Sequence, residues 1–259
     1  MASILDKIIE HKQGEIAAAK RAVPIEELES RIADAVPPLD FLAPIRASDQ
    51  VSLIAEVKKA SPSKGVIRED FEPVAIAKAY QEAGATCISV LTDENFFQGQ
   101  LDYLTKIREQ VSLPLLRKDF IIDPYQVLEA RVAGADAVLL IAECLNDELL
   151  RTLHDQIVTL GMTPLVELYQ PENLEPVLRC GAELIGINNR NLETFETDLN
   201  HCIRLRESIP TDKTVVGESG IFTAEDVTRL RAANIDAMLV GESLMRQPDI
   251  ATAVRQLVV

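Results

Sequence analysis

The chain is poor in the residues that usually hold metals or cross-links. Among its 259 residues are three histidines and four cysteines. Cys87, Cys144, Cys180 and Cys202 show no CxxC or other metal spacing, and no His/Cys/carboxylate cluster does either. A reduced compartment, the cytoplasm, and a site with no metal are the expectation. His11, His154 and His201 all fall in helical patterns and read as surface residues rather than general bases. Positive charge is also scarce: 26 Lys and Arg face 41 Asp and Glu, a net charge of −15. That balance argues against a nucleic-acid or anionic-membrane partner but leaves an anionic small substrate open. No apolar run reaches the ~18 residues a membrane span needs, and the first residues lack a signal-peptide core.

What the chain does have is rhythm. Apolar, β-branched runs stand at 51–57, 85–92, 113–116, 137–142, 163–168, 184–188, 214–217 and 237–240. Helical patterns lie between them at 73–83, 101–110, 125–133, 146–160, 171–180, 199–209 and 224–233, with a last one from Asp249 to the end. Strict alternation implies a parallel sheet. One junction recurs: E-A-G-A-T-C-I-S-V, V-A-G-A-D-A-V-L-L, R-C-G-A-E-L-I-G-I and A-A-N-I-D-A-M-L-V each end a helix at Gly84, Gly134, Gly181 or Asn234 and start a strand at once. Gly and Asn accept the left-handed conformation that closes a helix. Eight strands with this repeat make a (β/α)8 TIM barrel, residues 49–259, the leading fold. A doubly wound open sheet is second, without its G-x-G-x-x-G signature. Before the barrel, residues 1–48 read as a helical extension: a helix over 2–22, a second opened by Pro24 at its first turn, then a break at Pro37-Pro38.

Barrels of this type place their chemistry at the C-terminal strand ends. The stretch I-A-E-V-K-K-A-S-P-S-K-G puts Ile54, Glu56 and Lys58 on one strand face and Ala55 and Val57 on the other. A carboxylate and an ammonium at the mouth of a core strand are costly unless solvated, paired or used, and a solvated strand end with an incidental salt bridge fits the same residues. The other ends supply Ser89 and Thr92, then Lys118, an apolar wall with Glu143 beyond it, Glu167, Asn188 and Arg190, and Glu218 with Ser219. Gly217, Gly220 and Gly241 let backbone N–H groups approach an anion, in the loops where this fold most often binds phosphate; plain turn geometry would need the same glycines. Lys58 and Lys118 favour an anionic substrate, and with the histidines set aside acid–base work falls to Lys and Glu. These residues alone leave open another phosphate-binding barrel enzyme, such as a sugar-phosphate isomerase or a Schiff-base aldolase, and a silent phosphometabolite-binding barrel.

The first motif closely resembles the signature of the indole-3-glycerol phosphate synthase family. In order along the chain, S-V-L-T-D-E-N-F-F, L-R-K-D-F-I-I-D-P-Y-Q, L-V-E-L, I-G-I-N-N-R-N-L and G-E-S-G-I extend the resemblance from the leader to the last helix. The resemblance implies closure of the indole ring of 1-(2-carboxyphenylamino)-1-deoxyribulose 5-phosphate with loss of CO2 and water, in tryptophan biosynthesis, without metal or organic cofactor. It implies Lys118 as general acid, Lys58 assisting near the substrate carboxylate and carbonyl, and Glu167 as proton acceptor and donor. Glu56 would orient the lysines, and Asn188 and Glu218 would position the anilino end. Ser61, Ser89, Phe97, Phe120, Arg190 and Ser219 would line the substrate pocket. Lys58 and the backbone of Gly220, Gly241 and Glu242 would take the phosphate. Some members carry Ser where Glu242 stands, which leaves the direction of that carboxylate open. The leader is expected over the barrel mouth, a monomer is expected, and there is no room for the second, isomerase barrel to which many members are fused.

Overall fold

The computed structural model describes residues 3–191 and 194–258. The motif residue Leu192 and the outermost positions of the expected first and last helices, Ala2 and Val259, lie outside the described residues.

Eight parallel strands close on themselves: β1 (Ser52–Val57), β2 (Cys87–Leu91), β3 (Leu115–Lys118), β4 (Ala137–Ile141), β5 (Thr163–Leu168), β6 (Leu184–Asn188), β7 (Thr214–Glu218) and β8 (Ala237–Val240). Each pairs with its sequence neighbours, and β1 closes the ring by pairing Ile54 with Cys87 on one side and Ser52 with Ala237 on the other. The alternation read from β1 holds. Ile54 lies inside the barrel with Leu116, Leu139, Leu165 and Val216, whereas Ala55 and Val57 pack outward under the helices. The four recurrent junctions take the left-handed conformation: Gly84 at φ 98°, Gly134 at 87°, Gly181 at 92° and Asn234 at 56°. The residue two after each of Gly134 and Asn234 is an aspartate that seats the barrel. Asp136 accepts the Leu115 N–H and Asp236 the Val215 N–H, each at 2.7 Å.

Elements differ from the sequence expectation mainly at their ends. β3 runs two residues later than the apolar run suggests, because Arg117 and Lys118 continue it. Arg117 turns outward and is buried, donating to the Gln126 carbonyl at 2.7 Å and to Asp119 at 3.2 Å. Lys118 therefore stands in the strand rather than beyond it. Pro24 is the cap before the second helix (Ile25–Asp34), one position earlier than expected. The helix expected over 171–180 splits into a 3-10 turn, Pro171–Asn173, and a helix, Leu174–Arg179.

The leader touches the barrel at both ends. Helix α1 (Ile4–Ala22) opens on a capping box of Ser3 and Asp6 and lays Ile4, Leu5 and Ile8 at the mouth. At the opposite end Phe41 and Ile45, 0% and 2% exposed, join the interior cluster, and the Phe41 carbonyl accepts from Cys87 Sγ at 3.7 Å. Arg46 reaches Thr214 and Glu183 there, at 3.0 Å each.

Candidate active site

The C-terminal strand ends open into a cavity of about 1160 Å3, its open mouth included. Its walls hold Glu56, Lys58, Ser61, Phe97, Lys118, Phe120, Glu167, Asn188, Arg190, Glu218, Ser219, Gly220, Gly241 and Glu242, and of the strand-end candidates it leaves out Ser89, Thr92, Glu143 and Gly217. Ser89 is fully buried on β2, and its hydroxyl has no partner among the described residues. Leu139, Ile141 and Leu239 add apolar surface, as the β4 run anticipated.

A charged cluster spans the cavity. Lys118 Nζ lies 3.1 Å from Glu167 Oε2 and 3.7 Å from Glu218 Oε2, so one ammonium on β3 meets carboxyl groups from β5 and β7. Asn188 Nδ2 donates to the other Glu167 oxygen at 3.0 Å, and Asn188 Oδ1 accepts the Arg190 N–H at 3.0 Å. Across the mouth, Glu56 pairs with Lys58 at 2.5 Å. Gly186 and Gly241 have no room for a side chain: a Cβ at the first would strike the Glu218 carboxylate, and at the second that of Glu56.

Burial and charge push these groups apart. Burial pulls the Lys118 ammonium down, but Glu167, Glu218 and Glu56 together outweigh it, and the net shift is upward. Burial alone would raise Glu167, yet Lys118, a hydrogen bond from Glu218 and one from Asn188 hold it below the usual carboxylate value. Glu218 goes the other way: burial first, then the negative charge of Glu167, raise it well above that value. Glu167 is thereby set toward its ionised form and Glu218 toward its protonated form, a base and an acid side by side. Glu56 was expected to tune the lysines; it meets Lys58 directly and stands third, after Glu167 and Glu218, in the field at Lys118.

The loops after β7 and β8 are shaped for backbone donors. Ser219 and Gly220 both have positive φ, 65° and 74°, and a Cβ on Gly220 would come within 2.5 Å of Thr197 Cγ2. Gly241 precedes a short helix, Glu242–Met245. The Glu242 carboxylate turns to two guanidinium groups, Arg190 at 3.3 Å and Arg246 at 3.1 Å.

Some residues at this end were not legible. Phe195 and Phe222, 37% and 59% exposed, stand at the rim of the cavity. Lys12 of α1 is 3% exposed and reaches Asp93 and Asp119 at 2.9 Å each. Its only sequence signal is a basic residue on the apolar side of α1, three positions before Glu15. The histidine expectation needs correction. His154 is buried among the barrel helices, and His201 stacks on Tyr169 at 4.5 Å with Nε2 2.8 Å from the Tyr169 carbonyl. Only His11 keeps an exposed side chain, paired with Glu15 at 3.0 Å. Glu143 lies outside the cavity wall and accepts the Tyr169 and Gln170 N–H groups at 2.8 and 3.0 Å. Among the described residues no group of three or more His, Cys, Asp or Glu is placed to hold a metal ion.

A closed (β/α)8 barrel with a lysine between two opposed carboxyl groups, and glycine loops after its last two strands, defines an acid–base enzyme of the phosphate-binding barrel class. Solved structures agree on the fold: 3-hexulose-6-phosphate synthase from Salmonella typhimurium superposes with a TM-score of 0.66 at 13% identity, over 80% of this chain and 97% of the other. Sequence comparison is more specific. A family profile described as Indole-3-glycerol phosphate synthase matches residues 5–257. The Rhodopirellula baltica protein of that name is 59% identical over 255 residues, covering 98% of both chains, and the Polaromonas naphthalenivorans one is 49% identical, again over 98% of both. The chain belongs to the indole-3-glycerol phosphate synthase family.

Proposed function

We propose that this barrel closes the indole ring of 1-(2-carboxyphenylamino)-1-deoxyribulose 5-phosphate, releasing CO2 and water, with Lys118 and Glu167 carrying the proton transfers. One observation supports this above the others: Lys118 Nζ bridges Glu167 and Glu218, whose carboxyl groups are driven in opposite directions. Ring closure needs an electrophilic carbonyl. An ammonium whose pKa is raised stays charged at working pH and polarises that oxygen, and it yields its proton to the more basic alkoxide as the new C–C bond forms. The carboxylate on the ring carbon that has attacked the carbonyl then leaves as CO2, its bonding pair returning to the ring beside Leu139 and Ile141. Loss of the hydroxyl as water needs an acid, and removal of the last ring proton needs a base. Glu167, ionised and aimed by Asn188, suits the base. Glu218, held toward its protonated form, supplies the proton that departs with the hydroxyl as water, and Glu167 takes the ring proton, so the pair ends with one proton as it began.

The substrate's ends are assigned by chemistry. Lys58 and the backbone of Gly220, Gly241 and Glu242 form the phosphate site; β1 lies beside β8 in the barrel, which puts Lys58 next to the Gly241 loop. Arg190 and Lys58 face the substrate carboxylate, and Phe97 and Phe120, with ring centroids 6.1 Å apart, offer a wall to its benzoate ring. Arg190 releases Glu242 to do so, and Arg246 retains that carboxylate. A Schiff-base aldolase is disfavoured, because its lysine must lose a proton to attack and Lys118 is shifted the other way. The test is incubation with the carboxyphenylamino-deoxyribulose phosphate while indole fluorescence is followed. Growth of that signal supports the reading. No turnover with a folded chain refutes it, and an adduct trapped by borohydride would restore the aldolase.

A further inference from the structure

We infer that Lys12, on the leader helix, is a positioning residue for the aromatic end of the substrate site. The inference rests on the ring-closing reading above. Lys12 Nζ meets Asp93 Oδ2 and Asp119 Oδ1 at 2.9 Å each and Glu15 at 2.6 Å, and its side chain is 4% exposed. Each of the two aspartates holds one half of the aromatic wall. Asp93 caps the short turn Glu94–Phe97 by accepting the Phe96 N–H at 2.8 Å, and that turn carries Phe97. Asp119 follows Lys118 in the chain and accepts the Phe120 N–H at 2.8 Å through the same Oδ1 that meets Lys12. Its other oxygen takes Thr92 Oγ1 at 2.5 Å and Arg117 at 3.2 Å. One buried ammonium thus ties together the loops after β2 and β3 and the two rings they present. α1 also meets the first of those loops directly, His11 lying edge-on to Phe96 at 5.8 Å.

Lys12 does not itself line the cavity, although its partner Asp119 does. Its effect passes through the two carboxylates. Breaking a buried charge bridge leaves the remaining charges uncompensated, and they rearrange or draw in water. Here the groups that would move carry Phe97 and Phe120, whereas the phosphate loops after β7 and β8 lie across the barrel and take nothing from Lys12. The effect of its loss is therefore confined to one end of the substrate.

Two probes separate those ends: anthranilate for the aromatic carboxylate and inorganic phosphate for the other, each titrated by calorimetry into the full chain. Lys12→Met should weaken anthranilate about 10-fold or more, on the scale that misplaced contacts cost, and leave phosphate within about 2-fold. KM for the full substrate should rise, kcat should fall, and Lys12→Arg should recover most of both losses, since a guanidinium still bridges two carboxylates. Equal weakening of both probes, no weakening of either, or Lys12→Arg no better than Lys12→Met would overturn the inference and leave Lys12 a stability residue. If Lys12→Met does not fold, Asp93→Asn removes one side of the bridge and keeps the cap. Selective loss of anthranilate there supports the inference, and unchanged binding of both probes, or failure of this variant to fold as well, overturns it. A parent chain that binds neither probe refutes the ring-closing reading, and the inference falls with it. A parent that binds both, with anthranilate indifferent to Lys12, overturns the inference alone.

Discussion

Replacing Lys118 by alanine removes a cation that faces Glu167 and Glu218 together, at 3.1 and 3.7 Å. Two consequences follow from the geometry. The first is kinetic. Loss of a general acid costs about 10² to 10⁴ in rate, a barrier increase of roughly 3–5 kcal/mol. Lys58 and its Glu56 partner at 2.5 Å remain in place to hold the substrate, so the loss should fall on kcat with a modest change in KM. The second is electrostatic. Lys118 is the largest influence holding Glu167 down against burial, so without it the Glu167 carboxyl titrates at higher pH. The acid limb of the kcat profile of Lys118→Ala should therefore lie at higher pH than that of the parent. The sign is fixed: a base with a lowered pKa stays active further into acid, and loses that reach when the lowering partner goes. Lys118→Arg should recover little, because a guanidinium hardly gives up its proton. Lys58→Ala should instead raise KM visibly, since that ammonium is read as a binding charge. The assay is indole fluorescence across pH 5 to 9 for parent and variants. If Lys118→Ala kept kcat within a few-fold while Lys58→Ala lost it, the two roles would be reversed. An acid limb that did not move would sever the proposed link between Lys118 and Glu167.

Inorganic phosphate should compete with substrate, and Gly241→Ala should weaken it, because the new methyl meets the Glu56 carboxylate; non-competitive inhibition would place the anion elsewhere. Deleting residues 1–40 should raise KM and lower Tm without abolishing folding, since it strips Ile4, Leu5 and Ile8 from the mouth but keeps Phe41 and Ile45 in the interior. Unchanged kinetics in that deletion would show that the leader plays no part in the site. Asp119 is pushed up by burial but held down to about 2 by Arg117 and Lys12, from an ordinary value of 3.8. A depressed carboxylate contributes stability that is present above 3.8 and lost as pH falls toward 2, here about 2 kcal/mol. Urea unfolding at pH 5 and pH 2.5 should show this loss, and Asp119→Asn should reduce the difference between the two.

The barrel was legible because its two periods were written in separate residues. β-branched runs marked the strands, and Gly84, Gly134, Gly181 and Asn234 marked where each helix had to stop. Strand ends were harder wherever a charge belonged to the strand. β3 was read as ending at Leu116, where the apolar run stops, with Lys118 beyond its end; the strand continues through both charges, one paired beneath the helices and the other pointing into the site. His154 was misread for a related reason: helical periodicity does not say which side of a surface helix meets a neighbouring helix.

The site itself was legible as far as its residues sit at strand ends. Position on a parallel barrel gives convergence at once, so Glu56, Lys118, Glu167 and Glu218 could be grouped without knowing a distance. Pairing was not legible, because it depends on which strands face each other across the barrel. The expectation had Glu56 orient both lysines, whereas the structure pairs it with Lys58, two residues along the same strand face, and leaves Lys118 in contact with carboxyl groups of β5 and β7. The same limit hid Lys12. Within α1 the sequence marks Lys12 only by its place in line with Ile8 and Ile16, which does not name its partners. What distinguishes it is a pair of aspartates more than eighty residues away, brought under the helix by the folding of β2 and β3. Ion pairs between distant segments are the part of a site that strand order and periodicity leave unspecified. They also decide which carboxyl group of the Glu167 and Glu218 pair is pushed down and which up, the split on which the proposed division into base and acid rests.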